Sequence, residues 1–162
     1  MNQKCNKGDS CDISMPATRN CTAEVLEQLD KNVNMATESI TDIMPKIKNT
    51  DLTAFLTSQL NEYSKFSEEI KAQMKSCGAE IKPTGMIAKM STKIGIEMNT
   101  LKDDSDAHIA EMMIEGTTMG ITDTIRLVRD YENSNCSEEA LSLARKIVSF
   151  QEKSVERTKE FL

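Results

Sequence analysis

The sequence predicts an all-α protein, an up-down four-helix bundle made of two long helical hairpins with a short crossover helix between them. Apolar residues recur at steps of three and four through almost all of residues 22–162. No segment shows the period-two alternation of a half-buried strand. Turn and cap signals break the pattern at "KNTD", "CGAEIKPTG", "KDDSD" and "ENSNCSEEA", which divides the chain into long, short and long pieces.

The first helix carries its stripe on Leu26, Leu29, Val33, Ala36, Ile40, Ile43 and Ile47. Thr22 followed by Glu24 suits its start, and Pro45 removes a backbone donor near its end, so the last turn is kinked or already unwound. The second runs through Leu52, Leu56, Gln59, Tyr63, Phe66, Ile70 and Met74 to Cys77-Gly78, where glycine permits the left-handed cap. The short loop between them makes the pair an antiparallel hairpin. Pro83 and Gly85 lead into the crossover helix, with Ile87, Met90, Ile94, Met98 and Leu101 on one face and Gly95 inside it. Ser105 is a cap for a long helix from about Ala107 to Tyr131, and Ser137 with Glu138 and Glu139 opens the last helix. In that helix Leu141, Ala144, Ile147, Phe150 or Gln151, Ser154 and Phe161 point roughly one way. "ATESITDIM" (36–44) and "TTMGITDTI" (117–125) share a threonine and an Ile-Thr-Asp at matching places, which suggests a duplicated hairpin.

The domain reading is a flexible cysteine-containing tail over 1–21 and a bundle over 22–162. A formal charge of −6 with no basic cluster argues against a nucleic-acid partner. No segment is apolar for long enough to span a bilayer, so no membrane partner is expected. The first 21 residues lack the apolar run of a secretory signal, which predicts a cytoplasmic protein if residue 1 is the native start. Four Phe, two Tyr and no Trp against eleven Met predict an aliphatic, methionine-rich core. Five cysteines, an odd number in a chain with no export signal, predict reduced thiols in place of a disulfide framework.

Helical di-iron sites need carboxylates and Glu-x-x-His pairs projecting inward from four helices. This chain has a single histidine, His108, placed at a helix start where a solvated role is expected. Glu62-Tyr63-Ser64-Lys65 has lysine in the histidine place, and Lys65 suits an ordinary helical ion pair with Glu62 or Glu69. The carboxylates that could still meet are Glu38, Glu62 and Glu115, and with Cys5, Cys11 and Cys21 of the tail they form the candidate metal ligands. Met112, Met113 and Met119 could bind Cu(I), although methionine at helical spacing usually fills a core. No nucleophile elbow, phosphate-binding glycine loop or second histidine supports catalysis.

"EMMIEGT" (111–117) and "KIVSFQEKSVERTKEFL" (146–162) make the C-terminal half resemble a small bacterial ferritin-like family of unknown function. Its members are often secreted and some are linked to copper. That family's Met-Met-Ile-x-His-His histidines fall on Gly116 and Thr117 here, and the glutamate of its last helix falls on Ser154. Residues 24–161 also resemble a second ferritin-like family, whose Gly-Glu pairs correspond to Ala36-Thr37 and Gly116-Thr117, with both glutamates replaced by threonine. The resemblance implies a ferritin-like bundle without the usual di-iron ligands. Gly116 and Gly120, four apart on one helix face, suit the close approach of a neighbouring helix, so the core at this level is expected to be closed by packing with no metal.

The function expected is therefore non-catalytic binding or interaction, with an exposed apolar face available for a homodimer and an unknown protein partner. The alternative is a storage or carrier protein for iron, zinc or copper. No cofactor is required by the residues, and a transition metal ion is the one class they would admit.

Overall fold

The computed structural model describes residues 20–79 and 103–162. Four helices form there: α1 (Cys21–Ile43), α2 (Thr50–Ser76), α3 (Asp106–Tyr131) and α4 (Glu138–Thr158), with 3-10 turns at Met44–Lys46 and Lys159–Phe161. Among the described residues there is no strand, and no helix is long and apolar enough to cross a membrane. The expected crossover helix at 86–101, and Cys5 and Cys11 of the tail, lie outside the described residues.

Each helix ends where local chemistry tells it to. Asn20 accepts from the Thr22 amide at 3.1 Å, so α1 begins at Cys21 and residues 20 and 21 belong to the bundle. Thr22, the expected start, instead uses its hydroxyl to accept from the Ser137 amide at 3.0 Å. Pro45 sits in the 3-10 turn that finishes α1, as its missing donor requires. Asn49 caps α2 by accepting from the amides of Asp51 and Leu52 at 2.8 and 3.0 Å. At the other end Gly78 adopts φ 71°, and the Ala79 amide donates to Met74 O at 2.9 Å, which closes the left-handed cap. Ser105 caps α3 by accepting from the His108 amide at 3.2 Å. Ser137 stands at the head of α4 without a side-chain capping bond.

Contacts at the two ends set the direction of the second hairpin. The Lys48 amide donates to Asp106 Oδ1 at 2.8 Å, which places the start of α3 beside the α1–α2 turn. At the opposite end the Tyr131 hydroxyl donates to Glu24 Oε2 at 2.6 Å. Helices α1 and α4 therefore run one way, and α2 and α3 the other. The 23 residues from 80 to 102 join the end of α2 to the start of α3, which lie at opposite ends of the bundle. The 27-residue α2 is about 40 Å long.

Each hairpin is tightly packed internally, α1 on α2 and α3 on α4, while α1 meets α3 along a shorter length. Val25, Leu26, Leu29 and Val33 of α1, Ile70 and Met74 of α2, and Leu141, Ala144 and Ile147 of α4 are core residues with almost no exposed surface. Tyr63 and Phe150 meet edge to face at 5.2 Å, with Phe66 against the same Phe150 ring at 5.4 Å.

The expectation of reduced thiols fails at one pair. Cys21 and Cys136 form a disulfide across 115 residues, with Cα atoms 5.4 Å apart. Stacking of the hairpins brings the start of α1 against the α3–α4 loop, a meeting that linear spacing gives no sign of. Cys77 keeps its thiol and is half-buried.

Candidate functional site

Halfway along the bundle a layer of polar side chains crosses the interior. Asn32 of α1 donates from Nδ2 to Gly120 O at 2.9 Å and to Thr124 Oγ1 at 3.0 Å. Its Oδ1 accepts from Gln151 Nε2 of α4 at 2.8 Å, and the same nitrogen reaches the Tyr63 hydroxyl of α2 at 3.3 Å. Burial raises the pKa of Tyr63, and the Gln151 bond opposes that rise, so the phenol remains neutral and can serve as donor or acceptor. Every helix thus contributes to one network that runs from half-buried Asn32 to buried Tyr63 and Gln151.

Gly120 makes this layer possible. A Cβ there would lie 3.0 Å from Asn32 Nδ2, so glycine allows the amide of α1 to reach the backbone of α3. This matches the close approach expected at Gly120. At Gly116, one turn away, that expectation is overturned: a Cβ would meet nothing within 4 Å. Gly116 is exposed at the rim of an opening that borders the polar layer.

The opening is a cleft of about 1180 Å³ along the α1–α3 seam. Its walls are largely apolar, with Ile40, Ile43, Leu56, Met112 and Met113 prominent among them, and Met35 and Met119 stand exposed at its mouth. Gln59, Tyr63 and Gln151 line it from the far helices. The Oε1 atoms of Gln59 and Gln151 are buried and have no hydrogen-bond partner among the described residues. Five carboxylates (Glu24, Glu27, Glu115, Asp123, Asp130) and two cations (Lys31, Arg126) also line the cleft.

The candidate metal ligands are not brought together. Glu62 pairs with Lys65 at 2.5 Å on the outer side of α2, as its spacing predicts. Glu115 is exposed at the cleft, Glu38 is a half-buried residue of α1, and Cys21 is bonded to Cys136. No group of three or more His, Cys, Asp and Glu among the described residues could hold one ion. His108 turns to Glu111, Nδ1 to Oε2 3.3 Å, and the threonines that replace the resembled family's glutamates face other tasks. Thr37 donates to Val33 O at 2.8 Å, and Thr117 is half-buried against the cleft.

Comparison with protein-family models, with curated proteins and with solved structures finds no match for this chain. The site must be read from its own chemistry.

Two functional residues were missed by the sequence reading. Asn32 and Gln151 carry the polar layer, and Gln151 was read only as one of two alternatives on an apolar stripe. A signal existed: Gln59 and Gln151 both occupy stripe positions where an aliphatic residue is expected, and a buried amide there needs partners.

Proposed function

We propose that the protein is a non-catalytic binding protein whose α1–α3 cleft takes a small, mainly apolar organic molecule. The observation that carries this reading is the cleft itself. Its volume of about 1180 Å³ is somewhat above the range of roughly 300–1,000 Å³ usual for small-ligand sites, and its apolar walls with a few convergent polar groups have the composition such sites need. Methionine suits the task, since Met35, Met112, Met113 and Met119 can repack around more than one shape. The polar layer supports the reading because it holds α1 against α3 at Gly120 and leaves the seam open at Gly116.

A ferritin-like origin fits this reading, with a former metal chamber turned over to an organic ligand. The metal-carrier alternative draws no support from the arrangement of Glu38, Glu62 and Glu115.

Nile red, an uncharged dye that brightens in apolar sites, tests the proposal. Saturable brightening is expected with the wild type and with Gly116→Ala, and loss of it with Gly116→Phe, whose ring would enter the cleft while circular dichroism remains helical. No brightening, or equal brightening in Gly116→Phe, would reject the cleft as a ligand site.

A further inference from the structure

We propose that the molecule bound in the cleft is an uncharged amphiphile, an apolar body bearing an O–H or N–H donor such as a long-chain alcohol or primary amide, and that anionic amphiphiles are rejected. This rests on the reading of the cleft as a ligand site.

The argument starts from a carbonyl that cannot turn. Gly120 O can only accept, so the Asn32 amide must present Nδ2 to it, at 2.9 Å. That leaves Asn32 Oδ1 facing Gln151, which must answer with its nitrogen, at 2.8 Å. Both orientations are therefore fixed by a chain of donors and acceptors that begins in the α3 backbone. The Gln151 nitrogen also reaches Tyr63, so Oε1 is the atom left over, buried and without a donor among the described residues. Gln59 Oε1, from the neighbouring turn to Tyr63, is in the same condition. Gln59 and Gln151 are 7% and 1% exposed and both line the cleft. The two Oε1 atoms thus ask for a donor, while the Tyr63 hydroxyl, which accepts from Gln151, keeps its own proton to give to the oxygen of a hydroxyl or amide head.

Charge decides among the donors. A carboxylate or phosphate head would set its own lone pairs against these carbonyl oxygens, beneath an opening where carboxylates outnumber cations five to two. An ammonium would be drawn in by that opening, but Gln59, Tyr63 and Gln151 are all uncharged, so a buried cation would lose its water without gaining a counter-charge. A neutral hydroxyl or amide satisfies the floor at a much smaller desolvation penalty. Its chain would lie along Ile40, Ile43, Leu56 and the methionines.

The test is displacement of Nile red from the full chain by four ten-carbon probes: decanol, decyl methyl ether, decanoate and decylammonium. Decanol is expected to displace the dye at a concentration at least tenfold lower than each of the other three. In Gln151→Leu, and independently in Gln59→Leu, the advantage of decanol over the ether is expected to shrink, each displacement being referred to that variant's own dye affinity. The Gln59 variant decides the matter if the Gln151 variant does not fold. Equal displacement by the ether, or stronger displacement by decanoate or decylammonium, would overturn the proposed head group and leave the cleft reading standing. Failure of the dye to bind at all, or a crystal structure with residues 87–101 of the chain filling the cleft, would overturn both.

Discussion

At the scale of single residues, two glycines four apart on one helix have opposite reasons for being there. Gly116 faces open space, so Gly116→Ala should gain the ordinary helix-propensity difference of about 1 kcal/mol in urea unfolding. Gly120→Ala should be less stable than the wild type, because its Cβ would press on an Asn32 amide held by Gly120, Thr124 and Gln151. Asp30 makes a second residue-level prediction. Its carboxyl is nearly buried, with Oδ2 accepting from Asn34 Nδ2 at 2.8 Å and Oδ1 without a partner among the described residues. Burial raises its pKa, opposed by the Lys71 charge and the Asn34 bond. A raised carboxyl pKa means that the folded state binds the proton more tightly than the unfolded one. Its stabilising contribution is full below the unfolded value near 3.8 and is lost as pH rises through the higher folded value. Asp30→Asn should therefore melt above the wild type at pH 7, with the difference closing as pH falls towards 3.8. A constant difference across that range would contradict the assignment.

At the scale of helices, most of what the structure shows was legible. Steps of three and four among Leu26, Leu29, Val33, Ile40 and Ile43 mark a buried stripe whichever neighbour covers it, and Pro45, Gly78 and Ser105 act through the backbone within a turn of themselves. Even the internal repeat has a local counterpart. Thr37 and Thr41 bond back to Val33 O and Thr37 O, and the matching Thr118 and Thr122 bond back to Ile114 O and Thr118 O. What was not legible depends on how one hairpin sits on the other. Cys21 meets Cys136, and Asn32 meets Gly120, across separations of 115 and 88 residues that no local period encodes. The disulfide should matter most at this scale. Chain-entropy reasoning for a loop of this length gives about 4 to 5 kcal/mol, so Cys136→Ser, or reduction of the wild type, should lower the melting temperature markedly. Melting curves that coincide with and without reductant would contradict a stapled native state.

At the scale of the whole molecule, each hairpin packs closely within itself, and a cleft opens along the seam where α1 meets α3. Four-helix bundles build their sites in the core, where facing helices can aim side chains at a common point. Here the groups that face the core at mid-height are amides, a phenol and a threonine, which hydrogen-bond and do not readily exchange protons near neutral pH. That chemistry suits recognition better than turnover. The most direct test is an NMR titration with Nile red of protein labelled at the methionine methyls. The ring currents of a bound dye should shift Met35, Met112, Met113 and Met119, which line the cleft, and leave Met74, packed in the core, unmoved. Unchanged spectra at saturating dye, or shifts spread evenly over all assigned methyls, would contradict a binding site on the α1–α3 seam.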